Sequence, residues 1–188
     1  MASKRSDFDS FVQRQQEISV AAKNEPPFDP KKELADWIAH LNALYSNVRI
    51  YLADYLSDGS ISLTTENKAL TEEFSGPYIA PKMVIHIGLQ DIKLDPIGTM
   101  LIGSKGRVDV IGKAGTSRLT LIDKNLTSFR QMVTVTVIDP AKPPPPKTTV
   151  SRQEIEWVWK IISRPPADGF IELNKESFLQ MLLEVSNG

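Results

Sequence analysis

The sequence predicts an α+β fold: a helical amino-terminal arm and a long amphipathic helix, a central antiparallel β-meander or small open barrel, and a carboxy-terminal strand and helix docked on it. Three observations lead there. Apolar residues recur at intervals of three and four up to residue 57, alternate between 83 and 138, and return to the helical period after 174.

The first 28 residues read as a partly mobile arm. Phe8, Phe11, Val12, Ile18 and Ala22 share one helical face, but the stripe is thin and the polar run 13–17 interrupts it. Pro26-Pro27 breaks the pattern. Asp29-Pro30 then reads as an N-cap with proline in the first turn, opening a helix over about 30–57. Trp37, Leu41, Leu44, Tyr45, Val48, Leu52, Tyr55 and Leu56 lie on its apolar face, a bend is expected near Ser46-Asn47, and Asp58-Gly59 stops it. Such a helix is roughly 40 Å long. It must lie across a sheet or pack against a second subunit.

Alternation places six strands at about 83–88, 91–95, 98–103, 106–111, 116–122 and 132–138, with Ile61–Thr64 as a short seventh. The repeat I-G-x-x-G at 102–106 and 111–115 reads as two hairpin turns, with Gly106 and Gly115 expected at positive φ. Residues 29–139 thus form a helix-plus-meander domain, followed by a proline-rich linker at 140–150. In the docking element 151–188, the segment 154–162 fits a strand by the alternation of Ile155, Trp157, Trp159 and Ile161, and a helix by the capping box Ser151-x-x-Glu154. The strand is preferred. Asn174 caps a final helix over 175–186, with Phe178, Leu179, Leu182 and Leu183 on its buried face.

Composition narrows the function classes. The chain has 188 residues, 24% charged, a net charge of −1 and no cysteine, which excludes disulfides, thiolate nucleophiles and Cys-ligated metals. The charged start at 1–9 has no apolar core behind it, and no uncharged stretch approaches the ~18–20 residues of a membrane span, so a cytoplasmic protein without a membrane partner is expected. The two histidines suggest neither a metal site nor a general base: His40 pairs along a helix face with Asp36, and His86 sits on a strand. No phosphate loop, hydrolase elbow or zinc helix is present, and no cofactor or catalytic residue is assigned.

Charge is patterned along the chain. Residues 1–80 carry a balance of −4, residues 81–150 +5, and residues 151–188 −2. Within the basic stretch Lys93, Lys105, Arg107, Lys113 and Arg118 are the candidate binding residues, suited to one cationic sheet face. Aromatics for base stacking are scarce there, so charge matching with the acidic helix or tail is preferred to nucleic-acid binding. The expected function is a non-catalytic binding or assembly module, partnered by itself in a homo-oligomer or by another protein. A nucleic-acid-binding small β-barrel is the alternative, and a hydrolase-type enzyme stands behind it.

Overall fold

Helix α1 (Pro30–Tyr51) lays one face on a seven-stranded antiparallel sheet, and that contact organises the molecule. A computed structural model describes residues 29–73, 75–99, 104–128, 155–163 and 169–187. The arm at 1–28, the strand expected at 132–138 and the proline-rich segment at 140–150 lie outside these residues.

The buried positions of α1 are Trp37, Leu41, Leu44, Tyr45 and Val48, the spacing of a single helical stripe. Each fully buried aliphatic side chain contributes on the order of 1.5–3 kcal/mol, an upper bound from area burial. The helix is uninterrupted through Ser46-Asn47, where the Ser46 hydroxyl donates to the Asn42 carbonyl at 2.9 Å. The break comes at Leu52, followed by the short α2 (Ala53–Ser57) and a reversal at Gly59, where φ is +77°.

The strands follow chain order across the sheet: β1 (Ile61–Glu72), β2 (Gly76–Ile87), β3 (Gln90–Gly98), β4 (Gly106–Ile111), β5 (Thr116–Asp123), β6 (Trp157–Ile162) and β7 (Phe170–Glu172). Four expected strands therefore change. The short strand at 61–64 is a twelve-residue strand, and β2 starts well before residue 83. The strands expected at 91–95 and at the start of 98–103 are one strand with a register irregularity between Pro96 and Gly98, residues 100–103 lying outside the description. Within the segment 154–162 the preferred strand is present as β6, paired with β5, and β7 was not foreseen.

One face of the sheet meets the helices. Met83, Ile85, Ile92, Leu94, Val108, Val110, Leu119 and Ile161 point into the core beside α1 and the last helix, α3 (Lys175–Asn187). Along β2 the core residues change from Met83 and Ile85 to Ala80, with Tyr78 packed against the cluster. At the far end of the β1–β2 ribbon Glu72 fastens β1 to the end of β3. Its carboxylate accepts from the Thr99 amide (2.7 Å), the Thr99 hydroxyl (2.6 Å) and the Tyr78 hydroxyl (2.8 Å). Burial, and then the Glu72 charge and hydrogen bond, push the Tyr78 phenol well above its usual range.

One expectation about the glycine turns is corrected. Gly106 and Gly115 are not among the positive-φ glycines of the described residues, which are Gly59, Gly76, Gly88 and Gly98. Gly106 is needed for space, because the ring of Trp37 lies against its Cα. The long helix takes the first of its two expected placements, across the sheet: Trp37, Leu41, Leu44, Val48 and Leu52 are buried by this chain's own sheet and α3, while Tyr55 beyond them stays 41% exposed.

Candidate functional site

The five basic candidates do not form one surface. Val108, Val110, Ile92, Leu94 and Leu119 face the core, so by the strand period Lys93, Arg107 and Arg118 lie on the outer face. There they are interleaved with carboxylates. Asp95, Asp109 and Arg118 stand in one cross-strand row, Arg107 Nε lies 2.9 Å from Asp109, and Lys68 Nζ lies 2.8 Å from Asp95. Lys105 is on the helix side, 3.3 Å from Glu33 and 3.7 Å from Asp36, with its ammonium 5.3 Å from the centre of the Trp157 ring. Lys113 projects from the exposed β4–β5 turn. Basic sheet and acidic helix thus meet inside one chain, and Lys124 with Glu156 repeats the pattern at the tail (3.0 Å).

Both histidines have partners. His40 is held below its usual pKa, first by burial and then by the Lys105 charge, against the opposing pull of Asp36. Its carbonyl accepts the Trp159 indole N–H at 3.0 Å. On the outer face His86 Nδ1 lies 2.7 Å from Asp91 Oδ1, its register partner, and Nε2 lies 2.8 Å from the Thr64 hydroxyl. A carboxylate, an imidazole and a hydroxyl stand in the order of a proton relay. Among the described residues no group of three or more acidic or histidine side chains is placed to hold a metal ion.

A cleft of about 370 Å³ opens elsewhere, where α2, α3 and the β2–β3 turn meet. It owes its shape to the break in α1. Leu52 ends that helix facing the core, and α2 turns Tyr55 toward the last two turns of α3. Leu52, Ile61 and Ile87 form one wall, and Leu179, Leu182 and Leu183 the other. Tyr55, Gln90, Ser186 and Asn187 complete the lining, none of it charged, in a chain that is 24% charged. The Gln90 amide oxygen is buried without a hydrogen-bond partner, a cost of roughly 1–3 kcal/mol.

The expected buried face of α3 is corrected here. Phe178, Met181, Leu182 and Val185 are buried, while Leu183 is 56% exposed and Leu179 only partly covered. The helix docks through a hydrogen bond from the Ala114 amide to the Val185 carbonyl (2.8 Å) and a Tyr51–Phe178 ring contact (5.7 Å between centroids). That rotation leaves Leu179 and Leu183 over the cleft. Tyr55, 41% exposed, stands opposite. Ile87 and Gln90 both line the cleft, so the two-residue turn between them sits at its edge. That turn carries Leu89, wholly exposed at 106% of its reference area.

Sequence reasoning missed this site. The available signals were the α3 apolar arc, Phe178, Leu179, Met181, Leu182, Leu183 and Val185, which is wider than one docked face covers, and the leucine in a glycine turn. No helix among the described residues is long and apolar enough to cross a membrane. Comparison with protein-family models, with curated proteins and with solved structures finds no match to this chain.

Proposed function

We propose that the chain is a non-catalytic binding module that docks an apolar protein surface in the cleft between α2, α3 and the β2–β3 turn. The uncharged lining carries the reading. An interface core is distinguished by depletion of charge and by aromatic and aliphatic anchors, and here Tyr55, Leu183 and Leu89 rim a cleft walled by leucine and isoleucine. The lining residues include no carboxylate, imidazole or amine that could act as a base toward the Tyr55 and Ser186 hydroxyls, which supports binding over turnover.

The test uses a small apolar reporter, 8-anilinonaphthalene sulfonate, added to dilute protein. Its fluorescence should rise with the wild type and stay low with Leu183→Glu, whose exposed helical position leaves the circular dichroism spectrum unchanged. A dye that does not bind the wild type, or binds the variant equally well, overturns the reading.

A further inference from the structure

We propose that the occupant of the cleft is a second copy of this chain, each protomer inserting Leu89 into the cleft of the other about a two-fold axis. The inference rests on the cleft being a docking site and adds the partner. Leu89 is the protrusion. Tight hairpin turns favour glycine, asparagine, aspartate and serine, and here a leucine sits at the tip with all of its surface in water beside an apolar cleft. The turn is tight. Gly88 takes φ +58° while Leu89 is not among the positive-φ residues, the pattern of a type II′ turn, and the Ile87–Gln90 pair closes it. A two-residue turn closed by a ladder pair restricts its tip before contact, which lowers the ordering cost of association.

Position supplies the second argument. A two-fold interface is isologous, so the patch must carry both a protrusion and the recess that receives it. The turn bearing Leu89 joins two residues of the cleft lining, which places knob and hole side by side on one face. Charge supplies the third. A surface facing its own copy brings like charges together, and this lining has none.

Sedimentation of the full chain from micromolar to sub-millimolar concentration is the test. The wild type should reach twice the 21.0 kDa chain mass. Leu89→Asp should weaken the dimer by on the order of tenfold or more without changing the fold, since Leu89 is fully exposed in the protomer. Leu183→Glu should do the same from the recess side. Mixing Leu89→Asp with Leu183→Lys restores one of the two insertions and sets opposite charges together at the other, so a heterodimer should form where neither variant dimerises alone. A wild type that stays monomeric, or a dimer indifferent to Leu89→Asp, overturns the proposal. If the monomeric wild type still binds the dye and Leu183→Glu abolishes it, the cleft is a binding site for another occupant. If dye binding also fails, both readings fall.

Discussion

Replacing Gly106 by alanine should cost this fold more than any surface change, and the structure gives the reason. A Cβ built on Gly106 would overlap Trp37 Cζ3 and lie 2.5 Å from Cε3 and 2.9 Å from Cη2. Trp37 has nowhere to retreat. Its ring is 1% exposed and packs on Trp159 at 5.9 Å between centroids, and Trp159 is tied by its indole N–H to the His40 carbonyl. Overpacking a well-filled core costs typically ~1–3 kcal/mol, and two locked rings point to the upper end of that range. For a chain of this length each kcal/mol lowers Tm by roughly 2–4 °C, so a fall of about 4–12 °C is expected. Urea unfolding should show a lower midpoint at unchanged slope. A smaller side chain at 37 removes the clash, so Gly106→Ala should be less damaging in a Trp37→Leu background, with a coupling energy on the order of 1–3 kcal/mol. A shift within about 0.5 kcal/mol in the wild-type background, or no coupling to residue 37, would refute the spatial account of this glycine.

Two further outcomes follow from buried polar groups. Burial pushes the Tyr45 phenol well above its ordinary value, against a smaller downward pull from the Met83 backbone, while its hydroxyl donates to the Pro81 carbonyl at 2.8 Å. The folded state therefore holds this proton after the unfolded chain has released it, so stability is full below the unfolded pKa of about 10 and falls as pH rises above it. Tyr45→Phe should flatten that alkaline fall in denaturation measured from pH 8 to 11, and an identical slope would contradict it. Lys160, 5% exposed, donates to the carbonyls of Lys124 (2.7 Å) and Leu126 (2.8 Å), stitching β6 to the segment after β5. Lys160→Met leaves both acceptors without that donor and should cost roughly 1–3 kcal/mol by urea unfolding, whereas an unchanged midpoint would show the stitch to be dispensable.

What the sequence revealed follows a physical line. The α1 stripe, the strands from β3 to β5 and the capped α3 were legible because each buries one face, and burying one face imposes a period. The Asn174 cap is present, its side-chain oxygen accepting the Ser177 amide at 2.9 Å. Most of β1 was not legible, because Thr64, Thr65, Glu66 and Asn67 are all exposed and a strand wetted on both faces has no reason to alternate. The basic set misled for a related reason. Spacing along a chain does not tell a turn residue such as Lys105, directed at the helix, from strand residues such as Lys93 and Arg118 on the opposite face. The cleft carries no motif at all. It arises where α1 breaks and α3 docks slightly rotated, a tertiary outcome that no local window encodes.

The same strand period separates the two arrangements that an enzyme would have to combine. His86 and Asp91 face each other across β2 and β3 on the outer side of the sheet, with Thr64 beside them. The next pair in the register, Ile87 and Gln90, lines the cleft on the inner side. Successive side chains of a strand point to opposite faces, so the relay and the cleft are adjacent in sequence yet divided by the sheet itself. A hydroxyl activated by His86 would act on an open, hydrated surface without the preorganised, water-excluding surroundings in which such groups stabilise developing charge. An apolar body held in the cleft would meet only Tyr55, Ser186, Asn187 and the Gln90 amide as polar neighbours. The outer-face trio is better explained as a cross-strand polar cluster that pins the β2–β3 register, in the way opposed charged pairs stabilise a ladder. Holding that register fixes the turn, and with it the position of Leu89 beside the recess.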